Sequence, residues 1–347
     1  MIRVAILGGG IGEQHLAAYR ALPDFAVALI VDQDEARRNR LCSDEIAGAS
    51  SIETALDSDV DLIDICLPPH LHAQTAITAL QAGKHVICEK PLATSLDDVD
   101  QIAAAADKAA RRVFPVFQYR FGPAFAQLQA LRDAGLTGGP RVAALETHWC
   151  RKAEYYAVPW RGTWAGEQGG AILGHAIHAH DLLCHYFSPI RTISGALTTL
   201  CNPIETEDCA ALTFALDGGA LATSSITLGA ARDETRLRLV YENLTATSAT
   251  TPYAPGSGAW TFTARDPADQ PAIDACIAAA PRQAPGFAGF LAEVAKALSG
   301  RPAADVTLQD GRRSIELVTA IYEAARTGGT VALPLSADHP MRHGWQP

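Results

Sequence analysis

Hydrophobic and polar positions along the first third of the chain fall into two alternating patterns. Short runs that are apolar nearly throughout, at 2–7, 26–31, 60–66, 84–88 and 113–117, read as strands buried on both faces. Between them, 11–22, 34–46, 71–82 and 95–110 carry helical patterns, and the connections are short. This alternation predicts a parallel sheet covered by helices, an α/β fold. The helix at 95–110 opens with Thr94-Ser95-Leu96-Asp97-Asp98, a cap with acid in its first turn.

The pattern changes after a turn-rich passage, Gln118-Tyr119-Arg120-Phe121-Gly122-Pro123. We draw the domain boundary there, giving domains 1–120 and 121–347. A helix at 124–134 ends at Gly135, and a strand at 141–149 follows a Gly138-Gly139-Pro140 turn. Gly169-Gly170 opens another helix. Segments 190–200, 208–216, 219–228 and 235–249 are rich in Thr, Leu, Val and Ile and read as antiparallel strands joined by hairpins. Residues 251–285 are expected to form an irregular insertion, followed by helices at 286–299 and 308–327.

Composition narrows the classes. A chain of 347 residues, 48% hydrophobic and 19% charged, has the material for two cores. A formal charge of −10 argues against a nucleic-acid surface. No apolar segment is long enough to predict a membrane span, and the N-terminus enters a strand pattern without a signal peptide's apolar core. The eight cysteines form no CxxC pair. They are expected to be reduced core thiols of a cytoplasmic protein.

The first strand runs into Gly8-Gly9-Gly10-Ile11-Gly12-Glu13-Gln14-His15. Glycines between a strand and a helix let backbone approach a pyrophosphate seated on the helix N-terminus. The second strand ends at Asp32, twenty residues after Gly12, where a carboxylate accepts from an adenosine ribose. Such a carboxylate repels a 2′-phosphate, so NAD is expected over NADP. The spacing G-x-G-x-G is one residue short of the usual motif, which leaves open which glycine abuts the phosphate. Arg37 and Arg38 are expected on a solvated helix face. The third strand ends in Cys66-Leu67-Pro68-Pro69-His70-Leu71-His72, a rigid turn on the nicotinamide side of such a fold. His72 either contributes to the site or bonds backbone locally. The fourth strand ends on Glu89-Lys90-Pro91, which holds Lys90 extended at a sheet's carboxyl edge. It is either a ligand-polarising lysine or a plain turn. Cofactor contacts are expected from Gly8, Gly10, Ile11, Gly12, Asp32, Leu67, Pro68, His72, Glu89 and Lys90.

The strand-GGGIGEQH segment, Asp32, and the uninterrupted block LPPHLHAQTAITALQAGKHVICEKPLA together resemble the Gfo/Idh/MocA oxidoreductases. The resemblance implies a Rossmann domain followed by an α/β domain with a large, mostly antiparallel sheet. It implies that Lys90 contacts both nicotinamide and the reacting hydroxyl. It also implies that Gln118–Arg120 crosses under the cofactor, which makes Tyr119 and Arg120 pocket residues, and that the second domain assembles into a dimer or tetramer.

Residues 149–164 hold three of the five tryptophans, with Arg151, Arg161 and the pair Tyr155-Tyr156 between them. Aromatic faces and planar donors suit a sugar ring, and equally a subunit interface. Trp149, Arg151, Tyr156, Arg161 and Trp164 are therefore candidate substrate contacts. The helix after Gly170 carries His175, His178, His180, Asp181 and His185, with His178, Asp181 and His185 on one face. Spacings of three and four residues allow a metal site. On the resemblance there is none, His178 is the proton-transferring histidine, and His175 is a substrate contact. The Asp that many family members carry four residues before that histidine is replaced here by Gly174. Asp181 is expected to be structural. The expected activity is NAD-dependent oxidation of a secondary hydroxyl of a sugar, polyol or sugar derivative, with Lys90 polarising the hydroxyl and His178 as base. The alternatives are an oxidation–elimination glycosidase and a non-catalytic NAD(P)-binding sensor.

Overall fold

In the computed structural model, which describes residues 1–347, the apolar runs become β1 (Ile2–Leu7), β2 (Phe25–Val31), β3 (Ala47–Ala49), β4 (Leu62–Ile65), β5 (His85–Cys88) and β6 (Val113–Pro115). They form one sheet in the order β3-β2-β1-β4-β5-β6, parallel throughout. Successive residues of a strand point to opposite faces, so the unbroken burial of Val4–Leu7 and Leu62–Ile65 means both faces are covered. The connecting helices are α1 (Gly9–Arg20), α2 (Glu35–Leu41), α3 (Ile52–Leu56), α4 (His72–Gln81) and α5 (Leu96–Ala109). The Ser95 hydroxyl accepts from Asp98 N at 3.0 Å, the expected cap of α5. The sequence pattern does not reveal β3 and α3. Ala47–Ala49 has no large apolar residue and is a strand because it pairs with β2, and α3 is five residues long.

The chain divides into two compact units, one of Met1–Phe117 with Phe287–Ile315 and one of Gln118–Gly286 with Glu316–Pro347. A single boundary at 120 therefore assigns 287–315 to the wrong unit. Phe290, Leu291 and Val294 of the helix Gly286–Leu298 are buried, and the Phe287 ring lies 4.3 Å from the His15 ring. An amphipathic helix shows which face it buries but not which sheet it packs against.

The second unit contains α6 (Pro123–Asp133), β7 (Pro140–Cys150), α7 (Ala153–Tyr156), α8 (Ile177–Tyr186), β8 (Ile190–Thr198), β9 (Cys209–Leu216), β10 (Leu221–Thr227), β11 (Gly229–Tyr241), β12 (Leu244–Thr247), β13 (Thr261–Ala264), α9 (Gln270–Ala279) and β14 (Val331–Ala332). Its eight strands run in the order β13-β12-β11-β7-β10-β9-β8-β14. Only β7 and β10 pair in parallel; the other pairs are antiparallel, as expected. The apolar stretch 235–249 is broken at Glu242-Asn243 into two strands, and residues 251–285 include β13 and α9 rather than being wholly irregular. No helix is long and apolar enough to cross a membrane.

Candidate active site

In the first unit the strand order changes direction at β1, whose neighbours β2 and β4 lead to opposite edges, and the loops after β1 and β4 diverge there. Each glycine of the β1–α1 turn has its own reason. Gly8 has φ +94°, and a Cβ there would lie 2.5 Å from the Cys66 carbonyl oxygen. A Cβ on Gly12 would come within 2.8 Å of Ile6, so this glycine lets α1 pack closely on β1. Gly10 is exposed, with nothing within 4 Å of its Cβ position. The middle glycine is thus the one that faces open space. The N-cap of α1, Gly8, has no side chain, and after Gly9 N, which donates to Asp32, the amides of Gly10 and Ile11 are available to an anion.

Asp32 closes this turn. Its carboxylate accepts from Gly9 N at 2.7 Å and Asp34 N at 2.8 Å and pairs with Arg37 Nη1 at 3.1 Å. Burial alone would raise its pKa, but the two amides and the Arg37 guanidinium outweigh burial and hold the carboxyl below its usual range. Arg37 and Arg38 are not a free solvated face, because Arg38 Nη1 donates to the Asp32 carbonyl at 2.7 Å.

At the ends of β4 and β5, His72 is buried with Nδ1 2.6 Å from Pro91 O and Nε2 2.7 Å from Leu67 O. It ties the Leu67-Pro68 turn to the Lys90-Pro91 turn, whose peptide bond is cis. Burial pushes the His72 pKa down despite these carbonyls. Lys90 is half-buried at the carboxyl end of β5. Glu89, expected among the cofactor contacts, makes two hydrogen bonds within the first unit. One oxygen meets His15 Nε2 at 3.1 Å and the other accepts from Lys90 N at 3.0 Å.

His15, Asp64 and Tyr19 carry no role in the sequence reading. His15 is fully buried, with Nδ1 2.8 Å from Asp64 Oδ2, and Tyr19 donates to the same oxygen at 2.9 Å. Burial disfavours the imidazolium, but the Asp64 carboxylate and its hydrogen bond, helped by Cys66, reverse this and raise the His15 pKa well above its usual value. This cation between two acids links α1, β4 and the Glu89–Lys90 turn. The signal available in the sequence was an acid, Asp64, inside an apolar strand.

In the second unit the segment after Gly170 makes a π-helical turn, Ile172–Ala176, before α8. Glu207 sits at its start and accepts from Gly170 N at 3.1 Å, Ile172 N at 3.0 Å and the Tyr322 hydroxyl at 2.8 Å. A Cβ on Gly170 would lie 1.9 Å from the Glu207 carbonyl oxygen, so only glycine fits. Burial pushes the Glu207 carboxyl up to about 7. His175, His178, His180 and Asp181 are buried, whereas His185 is exposed. His178 stacks on Tyr119, with centroids 4.1 Å apart and ring planes within 13°. Asp181 takes the Arg120 guanidinium as a fork, 2.7 Å to Nε and 2.5 Å to Nη2, with both side chains buried. The Arg120–Asp181 fork ties the turn at Gln118–Arg120 to α8. His180 meets Ser224 Oγ at 3.0 Å, and burial lowers its pKa to about 4. At Gly174 the Glu167 carboxylate lies 3.6 Å from the Cβ position, so a buried acid from the preceding turn borders the place where the side chain is absent.

The aromatic segment gathers around Tyr155. Arg161 lies 3.8 Å and Arg151 5.0 Å from its ring, Tyr156 meets it edge-on, and its hydroxyl is 3.5 Å from His175 Nε2. Arg151 also covers Trp149 at 4.8 Å and pairs with Asp233 at 2.9 Å. Trp149 stands edge-on to His175 and donates to Thr235 at 3.1 Å. Trp164 belongs elsewhere, edge-on to Tyr322. Groups close enough to share a metal ion occur at His15–Asp64–Cys66 and Cys201–Asp208–Cys209, not along the histidine helix.

Residues 2–117 match the oxidoreductase family profile with an NAD-binding Rossmann fold, Gfo/Idh/MocA, and residues 125–247 match the Gfo/Idh/MocA C-terminal domain. A levoglucosan dehydrogenase of Pseudarthrobacter phenanthrenivorans is 31% identical over 216 residues, 57% of this chain and 54% of that protein. An inositol 2-dehydrogenase of Mycolicibacterium smegmatis is 32% identical over 148 residues, 41% of this chain and 43% of the relative. The chain spans about half the length of these curated relatives. The WlbA dehydrogenase of Bordetella pertussis, solved with NADH and UDP-GlcNAcA, superposes with a TM-score of 0.85 at 27% identity, over 96% of this chain and 99% of that one.

Proposed function

Because this chain belongs to the Gfo/Idh/MocA oxidoreductase family, we propose that it is an NAD-dependent dehydrogenase oxidising a secondary hydroxyl of a sugar, polyol or sugar derivative. The observation that carries this reading is the β1–α1 turn, open over Gly10, with ionised Asp32 at the end of the neighbouring strand. These residues fit a dinucleotide. The uncapped α1 amides of Gly10 and Ile11 suit a pyrophosphate, and Asp32 suits ribose hydroxyls while disfavouring a 2′-phosphate. Leu67, Pro68 and Lys90 stand at the carboxyl ends of β4 and β5, the side on which such folds bind ligands. When bound, NAD supplies the hydride acceptor.

In this reading the Lys90 ammonium stabilises negative charge on the substrate oxygen, and His178 takes the hydroxyl proton. Tyr119 fixes the plane of the His178 ring, and the Arg120–Asp181 fork fixes the helix that carries it. Glu167 supplies a carboxylate where Gly174 has none. Arg151, Arg161, Tyr155 and His175 offer donors to substrate hydroxyls. We assign cofactor binding to the first unit, and substrate recognition and self-association into a dimer or tetramer to the second. The eight free thiols support a cytoplasmic, reducing compartment.

The test is an NAD-reduction screen over inositols, aldoses, anhydrosugars, uronates and nucleotide-linked uronates. One of these classes is expected to turn over with NADH formation. With that substrate, Lys90→Ala and His178→Ala should each lower turnover by about 10²–10⁴. Turnover within about tenfold of wild type for either variant would remove that residue from its role.

A further inference from the structure

Loop 199–208 leaves β8 and doubles back into β9 around one buried carboxylate. Asp208 accepts from Leu200 N at 2.8 Å, Cys201 N at 2.9 Å, Asn202 N at 2.7 Å and Asn202 Nδ2 at 3.1 Å. The Thr199 hydroxyl closes the loop onto Thr206 O at 2.8 Å. The fold of the loop brings Cys201 back over Cys209, the first residue of β9, with the two sulfurs 3.5 Å apart. Thr227 Oγ1 lies 3.2 Å from Cys209 Sγ and 3.7 Å from Cys201 Sγ. Across the loop, β11 begins with Gly229, and a Cβ there would lie 2.3 Å from Cys201 Sγ. Glycine at this position leaves the room that the thiol occupies.

We propose that Cys201 and Cys209 are a redox-active dithiol that closes into an intrachain disulfide on two-electron oxidation by a peroxide. The sulfurs are already 3.5 Å apart in a loop that is closed, and the bond requires an approach to about 2.05 Å. A metal is a poorer occupant. The Asp208 carboxylate is committed to four donors, which leaves two sulfur ligands where zinc takes three or four protein groups.

The order of events follows from exposure. Cys201 is exposed, whereas burial pushes the Cys209 thiol up to about 11 and keeps it neutral near pH 7. The Cys201 thiolate attacks one oxygen of hydrogen peroxide, which breaks the O–O bond, releases hydroxide and forms a sulfenic acid. Cys209 sulfur, giving up its proton, then attacks the Cys201 sulfur, and the sulfenic hydroxyl leaves as water. The two thiols lose two electrons in all, and peroxide is reduced to water. Glu207, which holds the start of the histidine segment, lies on the stretch of chain that this bond would close.

The test treats the full-length protein with hydrogen peroxide, alkylates the remaining thiols and maps peptides without reduction. Glu205 and Glu207 lie between the cysteines, so cleavage at glutamate separates the two halves unless a bond joins them. The expected result is six of the eight cysteines alkylated and one Cys201–Cys209 crosslink, reversed by dithiothreitol. Cys209→Ser should stop at a sulfenate on Cys201 that dimedone traps. Gly229→Ala, which keeps every cysteine but displaces the Cys201 thiol, should lose the crosslink. Wild-type Cys201 recovered as sulfinic acid with Cys209 alkylated, a bond between two chains through Cys201, or both thiols left unreacted would overturn the proposal.

Discussion

Glu89 in the first unit and Glu207 in the second are both buried glutamates held by hydrogen bonds, and their charge is driven in opposite directions. Burial disfavours the ionised form of each. Around Glu89, the His15 imidazolium and Lys90 overcome burial and hold the carboxyl below its usual range. The hydrogen-bond donors to Glu207 are all neutral, two backbone amides and a tyrosine hydroxyl, and its carboxyl rises to about 7. Equal burial and similar hydrogen bonding therefore do not set the charge of a buried acid. The presence of a cation does.

The most damaging way to break this contrast is His15→Ala, which leaves Asp64 and Glu89 buried without their cation. Losing one partner of a buried ion pair costs about 3–5 kcal/mol, to be read from denaturant unfolding. A loss below about 1 kcal/mol would mean that His15 is neutral in the folded protein.

The pH dependence of stability should separate the two regions next. For Glu207, whose folded pKa is raised from 4.5 to about 7, the protonated form is favoured by folding. Its contribution is full below pH 4.5 and lost as pH rises to about 7. That is roughly 3 kcal/mol, measured as wild type minus Glu207→Gln across the window. In the His15–Glu89 pair, Glu89 behaves in the opposite sense to Glu207 and His15 in the same sense. The contribution of Glu89 is present above pH 4.5 and is lost as pH falls through its lowered pKa. That of His15 is present below pH 6.5 and is lost as pH rises through its raised pKa. Wild type minus His15→Gln should accordingly be greatest between pH 4.5 and 6.5. A flat difference for Glu207 would contradict its being held neutral.

The finest discrimination comes from two tyrosines. Tyr19 donates to Asp64, paired with the His15 cation, and Tyr322 donates to Glu207. Tyr19→Phe should cost about 1.5–3 kcal/mol, as for a hydrogen bond to a charged group, and Tyr322→Phe about 0.5–1.5 kcal/mol. The reverse order in thermal or chemical unfolding would mean that Glu207, and not Asp64, carries the charge. Tyr322→Phe should also raise the Glu207 pKa further, because the lost bond favours the ionised form.

Both halves of the fold were legible because their signals are local. Val4–Leu7 is apolar throughout and Leu62–Ile65 is broken only by Asp64, so a doubly covered parallel sheet follows. In β10, Leu221–Thr227, exposed and buried positions alternate, as an antiparallel sheet with one wet face requires. Gly8, Gly12 and Asp32 were legible as well, because turn geometry and strand length fix their spacing. At Glu89 and Arg120 the sequence did not show the partner. A charged side chain at the end of a strand or in a turn reads as a ligand contact, but here each meets a buried opposite charge, Glu89 from His15 and Arg120 from Asp181.

The sequence by itself determined the order of elements, the glycine turn, the acid at the end of β2 and the histidine-rich helix after Gly170. Each of these depends on residues within a few positions of one another. Only the tertiary structure decided which charges meet. His15 finds Asp64 and Glu89 across 49 and 74 residues, Glu207 reaches Gly170 across 37, and the loop around Asp208 returns Cys201 to Cys209. Hydrophobic periodicity records which face of an element is buried, but it carries no information about the partner opposite that face. The ionisation of a buried group depends on that partner.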